Sequence, residues 1–118
     1  MNSLFLVGIG GAAGSILRFL CQRAVPAQGL PFGTLGVNIA GCLLIGILWG
    51  YASRQALPDT GRLLLMSGFC GGFTTFSAFT LEGVTMLTEG RVGAFFLYAA
   101  ASVGGGFLAT FAGYKLAH

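Results

Sequence analysis

The residues of this chain best suited to chemistry lie in one run, Gly68-Phe69-Cys70-Gly71-Gly72-Phe73-Thr74-Thr75-Phe76-Ser77-Ala78-Phe79-Thr80. Glycine weakens a helix by about 1 kcal/mol relative to alanine. Three glycines fall within Gly68 to Gly72, and two adjacent threonines follow, with hydroxyls able to bond freed backbone groups. This pattern predicts a helix break over Gly71 to Thr74. Carbonyls released there form a cluster of hard oxygens, which suits a small hard cation. A glycine kink covered by neighbouring helices is the simpler alternative. Phe76 and Phe79, three apart, share one helical face, and Phe73 extends the row. A ring edge carries the positive part of the aromatic quadrupole and can face an anion without being charged. A lipid-facing aromatic stripe is the alternative, but Thr75, Ser77 and Thr80 flank the rings and would not all choose lipid.

Other polar residues stand in apolar surroundings. Asn38 lies early in an apolar stretch, where an amide is costly unless bonded; its NH₂ donates to an anion or makes an interhelical hydrogen bond. Tyr98, Ser102, Gly106 and Thr110 recur every four residues and form one helical stripe. Arg18 stands near the end of a stretch, where its stem can snorkel to the interface. Glu82 follows Phe79 by one turn, facing a pore mouth or ending a helix in water. Cys21, Cys42 and Cys70 are widely spaced, with one histidine, His118, in the chain. They read as small apolar fillers rather than a metal or disulfide framework. No nucleophile–base pair or metal-ligand cluster emerges, so the chain is not expected to be an enzyme.

The element that must position these residues is a membrane bundle. Of 118 residues, 8% are charged and 55% hydrophobic, with 21 glycines and mean hydropathy +0.86. A soluble fold cannot cover so much apolar surface with so few charges. The net charge of +3 comes from scattered basic residues that form no patch, so a nucleic-acid partner is not expected. A bilayer core of about 30 Å needs about 20 helical residues. Four stretches meet that, at about 4–21, 34–52, 63–87 and 94–116, separated by segments rich in Pro, Gly and charge. The start lacks the positive n-region of a secretory signal and reads as a retained first span. The expectation is one all-α integral membrane domain over 1–118, with four transmembrane helices and a broken third helix.

Orientation signals are nearly balanced. Arg54, Arg62 and Lys115 fall on one side, and Arg23 and Arg91 on the other, with Arg18 if it snorkels that way. Cytoplasmic loops normally carry a clear Lys/Arg excess. Either a weak bias is resolved during insertion, or both orientations are made and pair as an antiparallel dimer. Small residues at four-residue spacing (Gly10 with Gly14, Gly46 with Gly50, Gly68 with Gly72, Ser102 with Gly106) allow close helix approach in lipid.

Three ordered motifs carry a family resemblance. The run Gly68 to Phe79 resembles the GGxTTFSTF signature of the Fluc (CrcB) family of fluoride channels. Gly10-Gly11-Ala12-Ala13-Gly14 with Arg18 is similar to that family's first-span motif, and Gly33 to Gly41 to its GTLxxNxxG second-span start. The resemblance implies an antiparallel dual-topology homodimer in the bacterial inner (cell) membrane, exporting fluoride passively and lowering its toxicity. It implies one structural sodium ion, Na+, held on the dimer axis by the backbone carbonyls of Gly71 and Thr74 of each copy. It implies fluoride pathways built from Asn38, Phe76, Phe79 and Ser77, with Tyr98, Ser102 and Thr110 along the fourth span. Arg18 matches a family arginine, structural or at a vestibule. Ala78 and Gly106 depart from the pattern, where the family carries a threonine and tends to carry a hydroxyl. A small multidrug-type transporter is the alternative of similar size and topology, but it needs a glutamate in the first span, and residues 4–21 hold none. A non-transporting membrane subunit is the third reading; it explains the small-residue spacing but not the TTFS run.

Overall fold

A computed structural model describes residues 2–26 and 29–118. Helix α1 spans Ser3–Ala24, opened by Asn2, whose side chain accepts the Leu4 N–H at 2.8 Å. Helix α2 spans Phe32–Ser53. The third apolar passage, Asp59–Thr88, comes in pieces. After α3, Asp59–Gly61, the backbone widens into π-helical turns over Arg62–Cys70, tightens again as α4, Gly71–Phe73, and resumes as α5, Phe76–Thr88. Helix α6 spans Val92–Ala117. Among the described residues there are four passages long and apolar enough to cross a membrane and no strand. At 1.5 Å rise per residue, the 22 residues of α1 reach about 33 Å, enough for the hydrocarbon core. The bundle measures 48 × 29 × 20 Å.

Loop chemistry explains the stops. After α5, Gly90 takes a left-handed φ of 75°, its N–H donating to Leu87 O while that of Arg91 donates to Met86 O, a Schellman ending. Gln55 does the same after α2 at φ 58°, with Ala56 N–H donating to Tyr51 O. The turn after α5 is tied to the connection before α2 by Arg91, which donates to Gly29 O and approaches Glu89 at 3.5 Å.

The packing is inside out relative to a soluble protein. Large side chains such as Leu4, Phe107, Leu108 and Leu116 face outward, while half of the buried positions among the described residues are glycine. The first and third passages run alongside each other, Gly10 and Gly14 of α1 against Leu64 to Phe73. The second and fourth do the same, Gly46 against Thr110, and Gly50 against Tyr114 and Ala117. A Cβ on Gly14 would collide with the Phe69 carbonyl, and one on Gly72 with the Gly11 backbone. The four-residue spacings therefore seat helices, as lipid-embedded packing requires.

The break in the third passage is present, but it lies later than its glycines predict. Gly71 is right-handed helical at φ −61°, ψ −38°, and helix continues through Phe73. The extended residues are Thr74 (φ −85°, ψ 156°) and Thr75 (φ −146°, ψ 117°). Gly68 and Gly72 serve close approach to α1, and the threonines make the break. Cys21, Cys42 and Cys70 are free thiols.

Candidate functional site

The site grows from the two extended threonines. When a helix stops, its last carbonyls lose their intrahelical donors and the next segment's first N–H groups lose their acceptors. Each loss here meets a specific substitute. Cys70 O accepts both the N–H and the hydroxyl of Thr74, at 3.0 and 2.9 Å. Gly72 O accepts Arg18 Nε–H at 3.0 Å, with Ser15 Oγ at 3.5 Å. Arg18 therefore does not snorkel outward; its guanidinium caps the C-terminal end of α4, where the helix dipole favours positive charge. Thr75 caps α5, its hydroxyl accepting the Ala78 N–H at 3.1 Å.

Asn38 clamps the break. Its Oδ1 accepts the Thr75 N–H at 2.8 Å and its Nδ2 donates to Thr75 O at 3.0 Å. One amide thus replaces both backbone bonds that Thr75 would have in a helix. The second Nδ2 hydrogen has no acceptor among the described residues, and Asn38 borders the cavity described next. No hydrogen bond from a described residue reaches the carbonyl of Gly71 or of Thr74.

Against the break lies a cavity of about 450 Å³, bordered by Asn38 and Cys42 from α2, Gly71 to Phe79 in part, and Ser102 from α6. The Phe76 and Phe79 centroids are 5.8 Å apart, the rings tilted by 44°. Phe76 is 76% exposed and so stands open on this side of the bundle. Phe79 also meets the Tyr98 ring, at 5.2 Å. Ser102 Oγ is buried without a hydrogen-bond partner, a donor and acceptor with nothing to bond. The structure therefore gathers Asn38, Gly71, Thr74, Phe76, Phe79 and Ser102 around one space.

Three expected pathway residues do not border it: Tyr98, whose ring meets Phe79 and whose hydroxyl bonds Glu82, together with Thr110 and Ser77. Thr110 spends its hydroxyl on Cys42 O at 3.0 Å, joining α6 to α2. Ser77 is exposed, its Oγ 3.3 Å from Thr75 Oγ1.

Beyond Phe79 the polar groups continue into a cluster that sequence reasoning did not assemble. Glu82 Oε1 accepts the Tyr98 hydroxyl at 3.1 Å, and Oε2 accepts the Thr34 hydroxyl at 3.0 Å. Thr34 Oγ1 in turn accepts Gln22 Nε2–H at 3.0 Å. Glu82 therefore does not end a helix in water; it is held within α5 by side chains of α2 and α6. Thr34 and Gln22 each sit near a helix end and look like ordinary terminal polar residues. The available signal was that Thr34 precedes Asn38 by four residues, on the same face of α2.

The cavity wall is mostly apolar, with Ile45, Met66 and Val103 beside the phenylalanines, and it holds a few neutral polar groups. Apart from the guanidinium of Arg18 at Gly72 O and the carboxyl group of Glu82 beyond Phe79, its polar groups are an amide, hydroxyls and backbone carbonyls, with the phenylalanine rings beside them. Such a lining strips water from a small ion and replaces it with dipoles.

Residues 5–114 match the model of a family described as CrcB-like protein, Camphor Resistance (CrcB). The chain is 47% identical to a fluoride-specific ion channel FluC of Chlorobium luteolum, over 94% of this chain and 88% of the relative. It is 48% identical to one of Pseudomonas fluorescens, over 93% and 92%, and 46% identical to one of Rhizobium meliloti, over 98% and 96%.

Proposed function

The chain belongs to the CrcB family, and from that membership and the chemistry of the cavity we propose that it is a fluoride channel of the bacterial cell membrane. The observation that carries this reading is the lining: uncharged donors and ring edges gathered at one extended break in a membrane-spanning helix. Fluoride is small, strongly hydrated and a strong acceptor. The free Asn38 N–H and the Ser102 hydroxyl would replace hydration, and the edges of Phe76 and Phe79 would face the anion with positive charge too diffuse to trap it. Flow is passive and runs outward, because the weak acid HF enters, dissociates in a less acidic interior and leaves fluoride concentrated inside.

The same reading makes the functional unit an antiparallel homodimer in the inner membrane. The near-equal basic charge of the two loop sides supports it, as does the open side of the cavity, where Phe76 stands exposed. Within such a pair, the carbonyls of Gly71 and Thr74 are among the oxygens without donors, and hard neutral oxygens fit a sodium ion. Bound there, the cation would supply fixed positive charge that holds two broken helices together; the residues around it do the rest. Arg18 and Ser15 occupy Gly72 O, Thr74 occupies Cys70 O and Asn38 occupies Thr75 O, while Gly71, Phe73 and Thr74 keep carbonyls without a donor among the described residues; of these three, Gly71 and Thr74 are the pair that the family resemblance implies.

A small multidrug-type transporter is disfavoured because α1 carries no acidic residue, and proton-coupled efflux of an organic cation would revive it. The test is purified protein in potassium fluoride-loaded liposomes followed with a fluoride electrode. Efflux on adding valinomycin supports the channel; no release above protein-free liposomes favours a non-transporting membrane subunit.

A further inference from the structure

Gln22, in the last full turn of α1, is bonded to nothing that lines the cavity, yet it begins a directed chain of hydrogen bonds. A threonine hydroxyl has one proton and two acceptor lone pairs. Because Gln22 Nε2 donates to Thr34 Oγ1, that proton cannot point at Gln22 and goes to Glu82 Oε2. The opposite amide orientation would turn the Thr34 proton toward Gln22 and leave two oxygen acceptors, on Thr34 and Glu82, facing each other at 3.0 Å. Tyr98 fills the other carboxylate oxygen. Thr34 is 2% exposed and Tyr98 fully buried, so water does not compete for either hydroxyl. Chains of this kind polarise each member, the first donor strengthening the second bond.

We infer that Gln22 is a positioning residue, whose amide sets the direction of the Thr34 hydroxyl and so pins the Glu82 carboxylate against α2 and α6. Its consequence rests on the fluoride-channel reading. Glu82 lies one helical turn beyond Phe79, whose ring borders the cavity and touches Tyr98. A carboxylate released from one of its two donors would swing on its stem in a low-dielectric space and repel an approaching anion. Gln22 keeps that charge in one place without touching the ion.

The test is Gln22→Met, which matches the length of the side chain and removes the donor. In liposomes this variant raises the fluoride concentration for half-maximal flux roughly three- to tenfold, the loss expected of one hydrogen bond. In a Thr34→Val background the same substitution changes nothing further, because the relay is already cut. A second readout needs no transport. Glu82 and Glu89 are the only glutamates of the chain, so in a Glu89→Gln background the ¹³C-labelled glutamate carboxylate stretch reports Glu82 alone. Gln22→Met shifts that band in detergent-solubilised protein, and not when Thr34→Val is also present. An unshifted band, or an equal shift with and without Thr34, overturns the inference. If the wild-type chain passes no fluoride, the channel reading fails and the infrared arm still decides the role of Gln22.

Discussion

Asn38 shows how one side chain sustains a feature that the membrane would otherwise forbid. An unpaired backbone group in hydrocarbon costs several kcal/mol, so extended residues in mid-bilayer need dedicated partners. Asn38 supplies both for Thr75. Asn38→Leu leaves both Thr75 groups unpaired, at about 1–3 kcal/mol each. The expected result is a loss of roughly 2–6 kcal/mol of stability, read by thermal unfolding in detergent, together with loss of flux. Phe76 and Phe79 carry no such backbone duty; they touch each other, and Phe79 also touches Tyr98. Phe76→Ile or Phe79→Ile is therefore expected to leave the folded protein intact in gel filtration while abolishing fluoride efflux. Wild-type flux in both variants would remove the rings from the mechanism.

At the scale of elements, glycine position decides packing more than it decides helix breaking. Gly14 lies where a Cβ would meet the Phe69 carbonyl, whereas Gly8, on the same helix, has open space. Gly14→Ala should cost about 1–3 kcal/mol or more through overpacking. Gly8→Ala should be neutral or stabilising by up to about 1 kcal/mol through helix propensity. Unfolding midpoints of the two variants check the contrast. The same distinction explains which features were legible in the sequence. Hydropathy and punctuation locate four passages to within a few residues, because bilayer thickness sets their length and loops carry the Pro, Gly and charge. The break was legible in kind but displaced in place: Gly71 and Gly72 weaken a helix alone, yet α1 packs against Gly72 through Gly11 and the helix runs on to Phe73. The π-helical turns over Arg62–Cys70 have no compositional mark; they lie where Leu64 to Phe69 seat on Gly10 and Gly14. The cluster of Gln22, Thr34, Glu82 and Tyr98 draws one residue from each passage, a meeting that one-dimensional spacing does not encode.

For the whole molecule, the proposed antiparallel pair depends on a chain that inserts both ways. Orientation follows small differences in Lys/Arg near the helix ends. Gln55→Lys with Thr60→Lys adds two lysines to one side, and Thr88→Lys with Glu89→Lys adds two to the other. Each doubly substituted chain expressed alone is expected to insert one way and lose flux, and coexpression of the two is expected to restore it. Full flux from either chain alone, with cysteine labelling showing a single orientation, would contradict the antiparallel pair. The central claim is that the break and its neutral donors conduct fluoride passively and reject larger halides. It is tested most directly in liposomes loaded with equal potassium fluoride and potassium chloride, with efflux driven by valinomycin and both anions followed by ion-selective electrodes. Fluoride leaving while chloride stays behind is the predicted result, whereas chloride leaving alongside it, or fluoride retained as in protein-free liposomes, would contradict the account.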